Sequence, residues 1–343
     1  MKNKRGRAPI LRFPRNPEWW NLFHSFEDFE KARPISFAID GFLQNDATTM
    51  IAGLSTHGKT LVLLSMVRAL LRGTRLWNHF DVLERASRVL YLIPESTITP
   101  FKHRLKLFQI YDYLKHGRLL VHTLSKGPTP DLSDSKMRAA ARGAYVFLDP
   151  TIRFEEGNEN DAGDNQRGMA ANIFALLGAG ARVVVAAHHS PKSFAKENVM
   201  TLENVVRGSG DIGAMVSTVW GIKQLDAKRN IIHFENVKPR DFEPCGPFQL
   251  VGRPYIDEEG DFRMHKKPGE CGSLQDEQKG NKGGASPKKR KKRRLNKKLL
   301  GEFLQDDPKA TSKALARRFK QEGITLDPGT IRRYRAEIQK ERV

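Results

Sequence analysis

The chain has 343 residues, a formal net charge of +20 and an apolar fraction of 39%, enough for one substantial domain and a small one. Its two cysteines, Cys245 and Cys271, exclude a disulfide framework and a zinc ligand set, and point to a reducing, cytoplasmic setting. Apolar runs such as Leu61–Met66 and Val183–Ala187 are too short to span a bilayer, and the basic start Met1–Arg7 leads into no apolar signal region.

In chain order, residues 1–35 form a polar lead-in whose aromatics Trp19, Trp20, Phe23, Phe26 and Phe29 are expected to pin it onto the main domain. Residues 36–264 alternate short apolar runs with helix-like stretches. Thr49–Ala52, Val89–Ile93, Tyr145–Leu148, Val183–Ala187, Val219–Ile222 and Ile231–Phe234 read as strands, and Thr60–Arg72 and Gln166–Ala179 as helices. Strands that are apolar throughout belong to a sheet covered on both faces, so the expected class is α/β with a mainly parallel sheet. Residues 265–294, rich in Lys, Gly, Pro and Gln, read as a flexible basic linker. Residues 295–343 carry three short helical patterns, Asn296–Gln305, Thr311–Gln321 and Pro328–Arg342. Their apolar positions Leu299, Leu300, Phe303, Leu315, Phe319, Ile331, Tyr334 and Ile338 can share a small all-α core.

Gly53-Leu54-Ser55-Thr56-His57-Gly58-Lys59-Thr60 matches the phosphate-binding pattern G-x-x-x-x-G-K-[ST] and lies between a strand and a helix, the setting that pattern needs. The glycines let the backbone wrap a phosphate, while loop N–H groups and the helix N-terminus face its charge. Lys59 would reach the outer phosphates of ATP, and the Thr60 hydroxyl would join the Mg²⁺ shell. Two acids stand at strand ends nearby in sequence. Asp149, after Tyr145–Leu148, is the candidate for the metal's water shell. Glu95, after Val89–Ile93 and Pro94, is the candidate general base for water.

The loop, the strand ending in Glu95, the separate strand ending in Asp149, and Val183–Ala187 running into His188-His189-Ser190-Pro191-Lys192 together resemble the RecA-like ATPases. The double His followed by Lys is similar to the RepA-type replicative helicases of plasmids and related AAA-family ATPases. Ile39-Asp40-Gly41-Phe42-Leu43, Val206-Arg207-Gly208-Ser209-Gly210 and Lys238-Pro239-Arg240 also look familial. The resemblance covers about residues 35–250. It implies that His189, or its neighbour His188, senses the γ-phosphate, and that Lys238 and Arg240 act as basic fingers on a neighbouring subunit's ATP. It also implies that residues 190–210 face a central channel with Lys192, Lys196 and Arg207. A homo-oligomeric ring, expected to be hexameric, follows from fingers that act in trans. One departure is His57, at a loop position often held by a small residue.

Residues 281–343 carry 20 Lys/Arg against 7 Asp/Glu, a net of +13, leaving +7 for the rest of the +20. Lys288-Lys289-Arg290-Lys291-Lys292-Arg293-Arg294 repels itself and suits a phosphate backbone, single- or double-stranded; a solubilising linker is the alternative. The three helical patterns resemble a helix-turn-helix. Asp327 or Thr330 would cap the third helix, with Thr330, Arg332, Arg333 and Arg335 near its start, where such helices read DNA. The expected function is an ATP-hydrolysing, DNA-acting protein of the RepA-like helicase kind, in replication or mobile-element maintenance. The alternative is an ATP-switched DNA-binding regulator or loader.

Overall fold

The apolar runs become the middle of a nine-stranded sheet. The computed structural model describes residues 22–154, 162–206, 215–252, 262–277, 296, 299–308, 310–322 and 324–340. The chain divides into two compact units, Met1–Cys271 and Gly272–Val343.

In the first unit the strands are β1 (Phe37–Ile39), β2 (Leu43–Gln44), β3 (Ala47–Gly53), β4 (Val89–Ile93), β5 (Leu119–Thr123) and β6 (Tyr145–Leu148). They continue with β7 (Val183–His189), β8 (Thr218–Asp226), β9 (Ile231–Lys238), β10 (Phe248–Val251) and β11 (Arg263–Lys266). The helices are α1 (Phe26–Glu30), α2 (Lys59–Arg72), α3 (Ile98–Leu107), α4 (Ser135–Ala141), α5 (Ala162–Gly178) and α6 (Leu202–Val205). β1 and β2 form a small hairpin; the others form one sheet in the order β11-β10-β9-β8-β3-β7-β6-β4-β5. From β8 to β5 all pairings are parallel, and from β8 to β11 all are antiparallel. β3 and β4 are buried along their whole length, as strands with helices on both faces must be.

α2 is amphipathic in the ordinary sense but buries most of its surface, including Val62, Leu63, Leu64, Met66, Val67, Leu70 and Leu71. Full burial of each such side chain contributes about 1.5–3 kcal/mol. Its one buried hydroxyl is satisfied at both ends: Ser65 Oγ donates to the Val62 carbonyl (2.7 Å) and accepts from Trp77 Nε1 (2.9 Å). On the β8–β10 side an aromatic cluster closes the core, with Phe42 stacked on Trp220 at 4.6 Å and Phe234 on Phe248 at 4.8 Å.

Three strands outrun their apolar cores. β7 continues through His188 and His189, β8 to Asp226 and β9 to Lys238, because neighbouring strands carry the hydrogen-bond ladder beyond the buried stretch. β11 runs through Arg263–Lys266, two residues past the expected domain end at 264. The lead-in differs from expectation. Phe23, Phe26 and Phe29 are exposed and α1 buries no residue, so these rings do not pin the segment to its own domain. The Ser25–Asp28 capping box holds α1 by local hydrogen bonds instead. Trp19 and Trp20 lie outside the described residues.

The second unit is all-α where described: helical residues 299–306 (α7), α8 (Ser312–Gln321) and α9 (Pro328–Lys340). Leu300, Phe303, Leu315, Phe319, Ile331 and Tyr334 form its core, with Leu299 and Ile338 packed against it. Thr311 caps α8, accepting from the Ala314 N–H. Asp327 caps α9, accepting from the Thr330 N–H at 2.9 Å and the Thr330 hydroxyl at 2.6 Å, which decides between the two capping candidates.

Candidate nucleotide site

Parallel strands deliver their carboxyl ends to one edge of the sheet, and residues just past those ends share a crevice there. The register pairs Gly53 of β3 with His189 of β7, and Leu148 of β6 with both Ala186 of β7 and Leu92 of β4. Asp149 and Glu95 therefore emerge beside the loop that follows β3. A cavity of about 580 Å³ opens at this place, lined among others by Lys59, Thr60, Glu95, Arg104, Asp149 and His189.

The loop's shape depends on two glycines. A Cβ on Gly53 would sit 2.6 Å from Ile222 Cγ1 and 2.8 Å from the Ile222 carbonyl, so β8 leaves room for backbone alone. Gly58, the N-cap of α2, has φ +83°, a left-handed conformation costing an L-residue roughly 1–2 kcal/mol. It turns the chain so that the first free N–H groups of α2 open onto the cavity.

Lys59 is buried, and its Nζ donates to the Gly53 and Leu54 carbonyls, both at 2.9 Å, and to His189 Nδ1 at 3.3 Å. An ammonium only donates, so Nδ1 accepts and the His189 proton sits on Nε2. Burial pushes the Lys59 pKa down to about 8, against the opposing pull of Asp149 and Glu95. Asp149 is also buried, and burial raises its pKa; hydrogen bonds from Tyr91 and Thr60 pull it back. Tyr91 Oη donates to Asp149 Oδ2 at 2.8 Å. Glu95 is more open, its Oε1 held by Arg153 Nε at 2.6 Å.

This donor set fits Mg²⁺ and a triphosphate. Among the described residues no group of three His, Cys, Asp or Glu gathers as a metal cage. Mg²⁺ needs none, since it is held by one or two carboxylates, a hydroxyl and substrate phosphates. Thr60 and Asp149 both line the cavity and supply that minimal pair.

The two histidines part company because side chains alternate along a strand. His189 faces the cavity. His188 is buried on the other face, its Nδ1 3.0 Å from Thr151 Oγ1. His57 is half-buried, its Nδ1 accepting from the Gln224 N–H at 3.5 Å. Lys238 and Arg240 do not line the cavity. Lys238 Nζ donates to the Val216 carbonyl at 2.8 Å, and Arg240 is exposed.

Residues missed in the sequence include Arg104, which reaches the cavity from α3, and Arg153, which holds Glu95. The buried pair Phe101 and Leu105, at helical i, i+4 spacing after Glu95, was the signal for α3. Lys223 is a third: its Nζ donates to the carbonyls of Phe194, Ala195 and Glu197, clamping the segment after β7. Lys192 and Lys196 of that segment are exposed, and Arg207 lies outside the described residues.

In the second unit Arg332 and Arg333 are exposed on α9. Arg335 instead donates to the carbonyls of Ala310 and Pro308, and Thr330 belongs to the cap. The run Lys288–Arg294 lies outside the described residues. Among the described residues no helix is long and apolar enough to cross a membrane.

Comparison with known proteins agrees with this geometry. Residues 19–195 match the AAA domain family. Among solved structures, a DnaB-like replicative helicase studied with its primase interactions superposes with a TM-score of 0.51 and 14% identity. The match covers 73% of this chain and 68% of that one. A second solved structure, an ATPase domain on its own, superposes with a TM-score of 0.49 and 16% identity, covering 69% of this chain and 95% of that one. The sheet is thus built as in the RecA-like ATPase domain of the first of these. No curated protein matches the chain.

Proposed function

The chain belongs to the AAA domain family, and from that premise we propose that it binds ATP with Mg²⁺ along Gly53–Thr60 and hydrolyses it to act on DNA. The observation that carries the reading is the convergence of Lys59, Thr60, Glu95, Asp149 and His189 on one cavity from four different segments. Mg²⁺, when bound, would neutralise charge developing on the phosphates. Thr60 and Asp149 would hold it. Lys59 and Arg104 bring positive charge to the phosphate oxygens, and His189 would donate its Nε2 proton to them. Glu95, steadied by Arg153, would take a proton from the attacking water.

A second subunit would complete the site. Lys238 and Arg240, outside their own cavity, would serve the neighbour's phosphates, which requires Lys238 to leave the Val216 carbonyl. A ring, expected to be hexameric, supplies that arrangement. If the Lys238→Ala/Arg240→Ala variant turns over ATP at the wild-type rate, the trans contribution is refuted.

DNA as the object of this work is supported by charge. The last 63 residues carry the net +13, including Lys288–Arg294, and α9 exposes Arg332 and Arg333 beside Thr330 and Arg335. The RepA-like helicase role and the helix-turn-helix role of 295–343 belong to this reading, with 265–294 as the tether. The test is a forked duplex with a labelled strand: ATP-dependent strand release supports the helicase. Stimulation of hydrolysis by DNA without strand release supports an ATP-switched regulator or loader instead.

A further inference from the structure

A hollow lined by arginine lies at the end of α2 away from the phosphate loop. It has a volume of about 310 Å³ and is walled by Arg68 and Arg72 of α2, Arg75 of the turn that follows, and Arg263 at the start of β11. The buried rings of Trp77 and Phe262 line it as well. α2 has 14 residues, so Arg72 stands about 20 Å along the helix from Lys59. Among the described residues, none lines both this hollow and the nucleotide cavity.

Four guanidiniums facing one hollow repel each other. Cations near a helix C-terminus usually serve its last carbonyls. At the end of α2 other groups do that. The Ala69 carbonyl accepts from the Gly73 and Thr74 N–H groups at 2.7 and 3.2 Å, and the Leu70 carbonyl from the Ala86 N–H at 3.0 Å. The Leu71 carbonyl accepts from Arg85 Nε at 2.9 Å and Arg118 Nη2 at 3.1 Å. Capping therefore does not explain why the other four gather.

Two of the four are steadied by bonds that leave donors over. Arg72 Nη2 donates to the Gln109 carbonyl at 3.1 Å and to Gln109 Oε1 at 3.0 Å, both neutral acceptors that leave its charge uncancelled. Arg75 grips Asp81 with two prongs, Nε to Oδ1 at 2.5 Å and Nη2 to Oδ2 at 3.3 Å. A guanidinium carries five N–H donors, so both keep Nη1 for a ligand. Among the described residues no acid lines the hollow. The excess of charge reaches His79, whose pKa is lowered first by burial and then by Lys267 and Arg75, against Asp81. The turn that carries Arg75 is held firmly. Trp77 and Asn78 have φ +53° and +56°, and the tryptophan keeps that left-handed conformation with its Nε1 on Ser65 Oγ at 2.9 Å.

The planar guanidinium matches phosphate oxygens two at a time, which suits arginine to phosphate recognition. Four arginines against Asp81 leave a charge of +3. A phosphate group carries roughly 1.5–2 negative charges at pH 7, so two groups balance that charge better than one. Small-molecule pockets run to roughly 300–1,000 Å³, which places this hollow at the small end. We propose that it binds the diphosphate group of a small anion, free or carried on a nucleotide, as a site separate from the ATP cavity.

The test uses the full chain carrying Lys59→Ala, which removes the main cation of the nucleotide cavity, and does not depend on ATP turnover. Titration calorimetry with inorganic diphosphate should show one saturable site, and orthophosphate should bind it more weakly. Arg72→Gln and Arg263→Ser should each weaken diphosphate binding at least about tenfold. Arg263 is exposed, so its variant should keep the thermal midpoint and stays decisive if Arg72→Gln unfolds the chain. ADP that binds with the same dependence on Arg263 shows a carried diphosphate entering; ADP that does not restricts the site to the free anion. Diphosphate binding that is unsaturable, or unchanged by Arg263→Ser, overturns the proposal. Single-stranded DNA that loses affinity in both variants while diphosphate never saturates assigns the hollow to a nucleic-acid backbone and overturns it too. The sequence before Phe262 holds Asp257, Glu258, Glu259 and Asp261. Saturation that emerges only in the Asp257→Asn/Glu258→Gln/Glu259→Gln/Asp261→Asn chain would give the hollow to the chain's own acids, which also overturns the proposal.

Discussion

Tyr91→Phe perturbs the metal side of the site without touching the loop. Tyr91 is fully buried in β4, stacked on Phe147 at 5.8 Å and tilted against Phe101 at 5.2 Å. Phenylalanine keeps both ring contacts, so only the hydroxyl and its 2.8 Å hydrogen bond to Asp149 Oδ2 are lost. A hydrogen bond to a charged group contributes about 1.5–3 kcal/mol. At 1.36 kcal/mol per factor of ten, that is roughly 10- to 150-fold in a carboxylate-dependent equilibrium. Outer partners of metal ligands typically change metal affinity 10- to 100-fold, which agrees. The direction also follows: burial already raises the Asp149 pKa, and losing Tyr91 raises it further, favouring the neutral acid over the charged ligand. The assay is ATP turnover against Mg²⁺ concentration, with thermal unfolding as the control for folding. Half-saturation should move up at least about tenfold. A folded variant whose half-saturation stays within about twofold of wild type would refute the role given to Asp149.

Glu95→Gln should bind nucleotide as wild type and lose turnover by about 10²- to 10⁴-fold, the range of general-base catalysis; full turnover would remove Glu95 from the chemistry. Lys59, with a pKa of about 8, must be charged to hold phosphate, so nucleotide affinity should be level below about pH 7 and decline towards tenfold per pH unit above 8. Stability should move oppositely. Between about 8 and 10.5 the unfolded chain holds the Lys59 proton that the folded chain releases, so this group's contribution to stability rises with pH. A flat affinity profile from pH 7 to 9.5, measured with a fluorescent nucleotide, would contradict the first expectation. Lys223→Met keeps the stem but strands three carbonyls, so hydrogen exchange across residues 192–206 should accelerate while that of β3 does not.

The loop and its two acids were legible because each obeys a local rule. Gly53, Gly58, Lys59 and Thr60 occupy fixed positions of one motif, and Asp149 and Glu95 each follow a run of apolar residues. The strands β4 and β6 begin and end where the apolar runs do. What escaped is what tertiary packing decides. β5 reads Leu-Leu-Val-His-Thr, an edge strand with one exposed and two half-buried residues, and its weak pattern hid the sheet edge. The choice between His188 and His189 needed the register with Gly53. Phe23, Phe26 and Phe29 departed from expectation because aromatic content alone does not say which surface covers a ring. Arg335 was counted with the DNA-facing arginines, and only the fold shows it holding the carbonyls of Pro308 and Ala310.

The most direct measurement is the ATP hydrolysis rate of wild type and Lys59→Ala, each with no DNA, with single strands and with duplex. Wild type should hydrolyse ATP in a Mg²⁺-dependent manner and accelerate with DNA, while Lys59→Ala, its cavity otherwise intact, should do neither. Hydrolysis by wild type no faster than by Lys59→Ala under all three conditions would contradict the assignment of this cavity as a working ATPase site.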